Sequence, residues 1–161
     1  MTIVSRHRVF VPPWAGRLLV LALRLLLGAI LLISGLGKLR QPYDFLINVY
    51  AYQVLGPPWG RYLAIILPHV EIVTGACLLT GSLVLGASAS ATFLMLVFAA
   101  AQAWVLYRSL VIPCGCPGAG DRGVVTTVTL ARTIAFGVIA AITFAHSAIR
   151  QRAVARQGPG G

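Results

Sequence analysis

The sequence predicts an all-α integral membrane protein, a bundle of four transmembrane helices with both termini in the cytoplasm. Three observations predict it. The chain of 161 residues has a mean hydropathy of +0.89, with 58% hydrophobic and 10% charged residues, whereas a soluble domain carries about 25% charged residues. Its only acids are Asp44, Glu71 and Asp121, too few to cover a surface, so lipid is the expected solvent. Four apolar stretches reach the ~20 residues needed to span a bilayer. Arginines gather at both ends: Arg6, Arg8 and Arg17 in the N-terminal arm, Arg150, Arg152 and Arg156 in the C-terminal tail. An even number of spans puts both ends on one side, and the positive-inside rule makes that side cytoplasmic.

The elements follow in order. Residues 1–17 form a basic cytoplasmic arm, and residues 18–146 the four-helix domain. The first span covers about 18–39. No small-residue cleavage site follows it, so it is not a cleavable signal peptide. The loop after it contains "YDFLINVYAYQVLGPPWG", whose aromatics and paired prolines suit a short interfacial helix ended by a sharp turn. The second span covers 62–80 and the third 85–107, joined by a short uncharged cytoplasmic hairpin, "GSLVLG". The fourth covers 124–145, and residues 147–161 are expected as a flexible tail ending in "RQGPGG". The net charge of +10 reads as topology information and contact with anionic lipid, not as nucleic-acid binding. No basic face with interleaved aromatics exists outside the apolar segments.

This topology leaves two loops outside. The second holds "VIPCGCPGAGDRG", with Cys114 and Cys116 one glycine apart. On the outer face of a bacterial plasma membrane disulfides form and persist. Two ligands do not close a zinc site, which takes four, so no metal is assigned. Redox chemistry needs only the two thiols. A Cys-Gly-Cys bridge closes a very small ring, and strained exposed bridges have more oxidising potentials than structural ones. A structural staple is the competing reading, weakened because so small a ring removes little entropy from the unfolded chain.

Polar residues inside the spans are the other candidates, since a charge there costs about 2.5–3.5 kcal/mol on insertion scales. Glu71 and Arg132 lie at similar depth, roughly 12–15 Å from the outer side at 1.5 Å per residue, which suggests a Glu71–Arg132 pair. Arg24 lies on the helical stripe that also holds Gly28, Leu31, Gly35 and Lys38, where small residues admit a neighbouring helix. Glu71 is either a structural ion-paired acid or a buried acid that relays protons or binds a quinol hydroxyl. Gln102 reads as an interhelical hydrogen-bonder, and Cys77 as a buried thiol behaving as a small hydrophobe.

Taken together, "RLLLGAILLISGLGKLRQP", "LPHVEIVTGACLLTG", "CGCPG" and "VTLART" occur in the order seen in the MauE/DoxX family of redox-associated membrane proteins, which this chain resembles from about Arg24 to Arg132. The resemblance places family features at Arg24, Gly35, Lys38, Glu71, Gly75, Cys114, Cys116 and Arg132. It implies a small four-helix protein serving periplasmic thiol–disulfide chemistry, with a thioredoxin-like or disulfide-bearing partner and a quinone as possible cofactor. It also implies support for maturation of a disulfide-rich methylamine dehydrogenase. The chain departs from the family at Pro113 and Pro117, where an acid and an aromatic are common, which bears on partner choice.

The leading expectation is therefore a membrane thiol–disulfide redox protein using Cys114 and Cys116, with electrons passing toward Glu71 and Arg132. A non-catalytic anchor for a soluble oxidoreductase is the alternative. A small transporter is a third, disfavoured because no inverted repeat or broken helix pair is present.

Overall fold

The computed structural model describes residues 13–54, 56–110, 112 and 124–156. Five helices follow in order: α1 (Pro13–Arg40), α2 (Pro42–Ala51), α3 (Pro57–Thr80), α4 (Val84–Tyr107) and α5 (Thr127–Arg156). Four are long and apolar enough to cross a membrane, over Leu18–Arg40, Pro58–Thr80, Val84–Tyr107 and Thr127–Arg152. The all-α membrane bundle expected from composition is the observed architecture. The short α2 lies between the first two spans, where the aromatic-rich loop predicts a helix.

Several boundaries differ from the sequence reading: α1 begins at Pro13, inside the segment expected as a cytoplasmic arm, and α5 begins only at Thr127. The paired prolines Pro57 and Pro58 open α3 instead of standing in the turn before it, because a proline at the first helical position gives up an N–H that has no partner there. The helix α5 runs on to Arg156, through much of the segment expected as a flexible tail. Its last turns are rich in Ala, Arg and Gln, which are strong helix formers, and no Gly or Pro interrupts before Gly158. The α3–α4 hairpin is as tight as expected. Gly81 takes a left-handed φ of 80° and its N–H closes on the Cys77 carbonyl, the ordinary glycine C-cap.

The helices pack as two intimate pairs, α1 with α3 and α4 with α5, which meet each other less extensively. The first pair is close because glycines face each other. A methyl group at Gly75 would stand 2.8 Å from the Gly28 carbonyl oxygen and 2.9 Å from the Leu32 nitrogen. One at Gly35 would stand 2.8 Å from the Pro68 carbonyl oxygen. Between membrane helices, where lipid tails are as apolar as leucine, such backbone approach supplies the dispersion contact that holds them. Leu27, Leu31, Leu78, Ala91, Leu94 and Ala140 fill the seam between the two pairs. The helix α2 is seated by Tyr50, whose ring covers Gly60 so closely that an added methyl would lie 2.6 Å from it.

A second, smaller apolar cluster of Val105, Ile112 and Val125 closes one end of the α4–α5 pair, with Tyr52 packed against it. There the Val125 N–H donates to the Ile112 carbonyl at 3.0 Å. Cys114 and Cys116 lie outside the described residues, between these two anchors.

Candidate functional site: a buried ion pair on the wall of a membrane cavity

Lys38 stands near the end of α1, and helical side chains lean toward the N-terminus of their helix. Its stem therefore points back into the bundle, toward α3. Its Nζ donates to Glu71 Oε1 and Oε2, each at 2.7 Å, and to Ser34 Oγ at 2.6 Å. An ammonium has three protons and no acceptor, so this geometry uses its full donor capacity. Phe45 of α2 and Phe98 of α4 flank the charge, with ring centroids 5.5 and 5.2 Å from Nζ, within cation–π range. Glu71 is 0% and Lys38 8% exposed. Both charges are thus withdrawn from solvent and compensated by each other.

The expected Glu71–Arg132 pair does not form. Equal depth fixes a position along the bilayer normal but not the azimuth around a helix. Arg132 sits on α5, largely exposed, whereas Glu71 turns into the α1–α3 seam. Nor does the site include Arg24. Fourteen residues up α1, roughly 21 Å away, its guanidinium lies against Gly81 at the C-terminal end of α3, where the helix dipole favours a cation. Its Nε is buried without a hydrogen-bond partner. Of the four intramembrane candidates, the structure joins two, and a third, Arg132, borders the same cavity as Lys38.

That cavity measures about 730 Å³ and is bordered by residues of all five helices, a volume typical of small-molecule sites. Its walls are mostly apolar, with Phe45, Phe98 and Phe136 among them, and Trp104 on its border is 40% exposed. Polar groups project from several helices: Lys38 and Ser34 from α1, Asn48 from α2, Gln102 from α4, and Arg132 and Thr133 from α5. Thr133 Oγ1 donates to Gln102 Oε1 at 3.1 Å, so Gln102 bridges α4 and α5 as a helix-spanning amide was expected to do. Asn48 and Phe45 escaped sequence reasoning because they sit in α2, a segment read for its interfacial aromatics. Ser34 had a signal, its position one turn before Lys38. Cys77 packs half-buried against the main core as a free thiol, the role read for it.

Tyr52 belongs to both regions. It borders the cavity and packs on the Val105–Ile112–Val125 cluster. The anchors of the loop that carries Cys114 and Cys116 thus stand beside the cavity.

Residues 16–146 match the family described as methylamine utilisation protein MauE. The chain is 32% identical over 120 residues to methylamine utilization protein MauE of Paracoccus denitrificans, across 74% of this chain and 64% of that protein. It therefore spans somewhat less than two thirds of that relative's length. No solved structure matches it. The four apolar helices, the glycine-lined α1–α3 seam and a family match across nearly the whole bundle lead to one conclusion: this chain is a membrane protein of the MauE family.

Proposed function

We propose that the protein is a thiol–disulfide redox protein of the bacterial plasma membrane, with both termini cytoplasmic and the loop of Cys114 and Cys116 outside. In its oxidised form, the Cys114–Cys116 disulfide is attacked by a thiolate of a thioredoxin-like or disulfide-bearing extracytoplasmic partner. A mixed disulfide forms, and the partner's second thiolate resolves it. The partner leaves oxidised, and the cysteine pair is left as two thiols. Reoxidation of the pair releases two electrons and two protons to an acceptor. The role is support for the maturation of a disulfide-containing enzyme. The relative's designation as a methylamine utilization protein favours methylamine metabolism as the pathway.

One observation carries most of this reading. The anchors of the cysteine loop, Ile112 and Val125, are hydrogen-bonded to each other and belong to the apolar cluster against which Tyr52 packs, and Tyr52 also borders the cavity. These anchor residues stand near an intramembrane compartment from which an acceptor can be reached. Pro113 and Pro117 on either side of the pair restrict its backbone, which favours a preset geometry for exchange.

Single Cys114→Ser and Cys116→Ser variants test the reading. Either substitution leaves one thiol, so one of the two should accumulate a mixed disulfide with a partner, and the double variant should accumulate none. The double variant should also fail to support maturation of the partner enzyme. Normal maturation by the double variant, or alkylation showing both thiols permanently reduced in the oxidising compartment, would overturn it in favour of a membrane anchor.

A further inference from the structure

We propose that α2 is a lid over the intramembrane cavity, hinged at Gln41 and Gln53 and latched by Tyr52 to the anchors of the cysteine loop. Its opening admits water and small polar solutes to Lys38 from the end of the bundle where those anchors stand. The task of the opening rests on the thiol-exchange reading; the lid itself follows from the packing of α2.

Phe45, Asn48, Val49 and Tyr52 border the cavity, and their spacing of three and four puts them on one helical face. Gln53 and Val54 extend that border past the end of α2. On the opposite face Tyr43 and Ile47 are 80% and 64% exposed, the surface of a helix that rests at a membrane interface. No residue of α2 is buried, whereas seven residues of α4 are. An element with so little buried surface opens at the low end of the range of local unfolding free energies. Its lipid-facing side loses nothing when it lifts.

Both ends of α2 are built to turn. Gln41 is the single residue between α1 and α2; it has φ −130° and ψ 65° and makes no side-chain cap bond. Gln53 takes a left-handed φ of 52°, which is strained for a residue with a Cβ and relaxes when the lid lifts. Lids absorb their backbone change at such terminal positions. Three rings hold the lid down. Phe45 stands 5.5 Å from Lys38 Nζ, Tyr50 covers Gly60, and Tyr52 packs against the cluster of Val105, Ile112 and Val125. The last contact is the latch. Ile112 and Val125 are joined by a backbone hydrogen bond and bracket the cysteine loop in sequence. Whatever displaces these anchors frees Tyr52, and by reciprocity a lifted Tyr52 frees the anchors.

Ser34 supplies the reporter. It is 5% exposed, borders the cavity and stands 2.6 Å from Lys38 Nζ. In the full chain in lipid nanodiscs, Cys77→Ala, Cys114→Ser and Cys116→Ser leave Ser34→Cys as the sole cysteine. Its labelling by sulfonatoethyl methanethiosulfonate, a charged reagent that does not enter through lipid, is followed in time. Slow labelling is expected. Tyr52→Ala should speed it about tenfold, and Ile112→Ala should speed it although it lies outside α2. Gln53→Val, a β-branched residue that resists a left-handed φ, should speed it about fivefold. Gly37→Ala, which meets nothing within 4 Å, should leave the rate unchanged. Amide exchange in the faster variants should rise in α2 and stay constant in α1 and α3, which separates lifting of the lid from loss of the fold. Equal labelling rates in all variants would overturn the proposal, as would faster labelling with equal gains of exchange in α1 and α3. A response to Tyr52→Ala with none to Ile112→Ala would overturn the latch. The reporter chain lacks Cys114 and Cys116, so the two readings fail separately. Unresponsive labelling with mixed-disulfide trapping intact in the native chain sinks this inference alone. A lid that lifts as expected without trapping sinks the exchange reading alone.

Discussion

The Lys38–Glu71 pair makes an asymmetric prediction. Removing one partner of a buried ion pair costs about 3–5 kcal/mol, because the other charge is left uncompensated. The two halves are not equally provided for. Glu71 is fully buried, and Lys38 is its one ion-pair partner among the described residues. Lys38 retains Ser34 and two aromatic rings if Glu71 is lost, and cation–π contacts are worth about 0.5–2 kcal/mol. It also stands two residues from the end of α1, where a lysine can snorkel to the interface. Lys38→Met is therefore expected to destabilise the bundle by about 3–5 kcal/mol, a 10²- to 10⁴-fold change in the folding equilibrium. Glu71→Leu should cost less, by about 1–2 kcal/mol. The double variant Lys38→Met/Glu71→Leu replaces two charges with apolar groups of similar size and should be more stable than Lys38→Met alone. Reversible unfolding in mixed micelles, titrated with SDS and followed by far-ultraviolet circular dichroism, measures all four corners of the cycle. The reasoning is refuted if the single costs simply add in the double variant, or if Glu71→Leu is the more damaging change.

Other consequences are simpler to state. Gly75→Ala inserts a methyl 2.8 Å from the Gly28 carbonyl oxygen and should cost about 1–3 kcal/mol in the same assay, as overpacking does. Gly37→Ala, with nothing within 4 Å, should be close to neutral. Gly60→Ala drives the ring of Tyr50 off α3, so amide exchange in α2 should rise while α1 and α4 stay protected. Thr133→Val removes the hydroxyl bridge to Gln102 and should cost under about 1 kcal/mol, the usual size of an interhelical hydrogen bond in a membrane.

Hydropathy made the spans legible, because the bilayer imposes one length and one polarity on every crossing helix. The glycine stripe of α1 was legible for a related reason: a 3.6-residue period aligns Gly28 and Gly35, and small aligned residues between membrane helices signal close approach. The partner of Glu71 was not. Depth along a helix can be counted from the sequence, but which neighbour an acid meets depends on the rotation of each helix and on how far a side chain reaches. Lys38 was placed on the stripe of Gly28 and Gly35, but a stripe does not say how far a side chain reaches, and its long stem runs back to Glu71. The cavity was also hidden, since it is bordered by five helices and its donors come from segments far apart in sequence. Asn48 and Arg132 are separated by 84 positions, and no periodicity links them.

The ion pair and the cavity have a common origin in how the helices are paired. A glycine seam alone specifies closeness but tolerates sliding, because small residues offer few distinct notches. Moving α1 along α3 by one residue would rotate its contact face by about 100° and carry Lys38 away from Glu71. That leaves a lone charge in the span, at about 2.5–3.5 kcal/mol on insertion scales. The pair therefore selects the register in which Gly28, Gly35 and Gly75 meet backbone. Once α1 is locked to α3, and α4 to α5 by a seam that includes Thr133 and Gln102, the two pairs behave as separate slabs. They close on Leu27, Leu78, Ala91 and Ala140 and leave space toward the end covered by α2. Tight packing within each pair is thus what permits a void between them. The Ile112–Val125 anchors bridge the α4–α5 slab, while Lys38 and Glu71 bridge the other. A change in the spacing of the slabs would alter the cavity and the position of the loop anchors together.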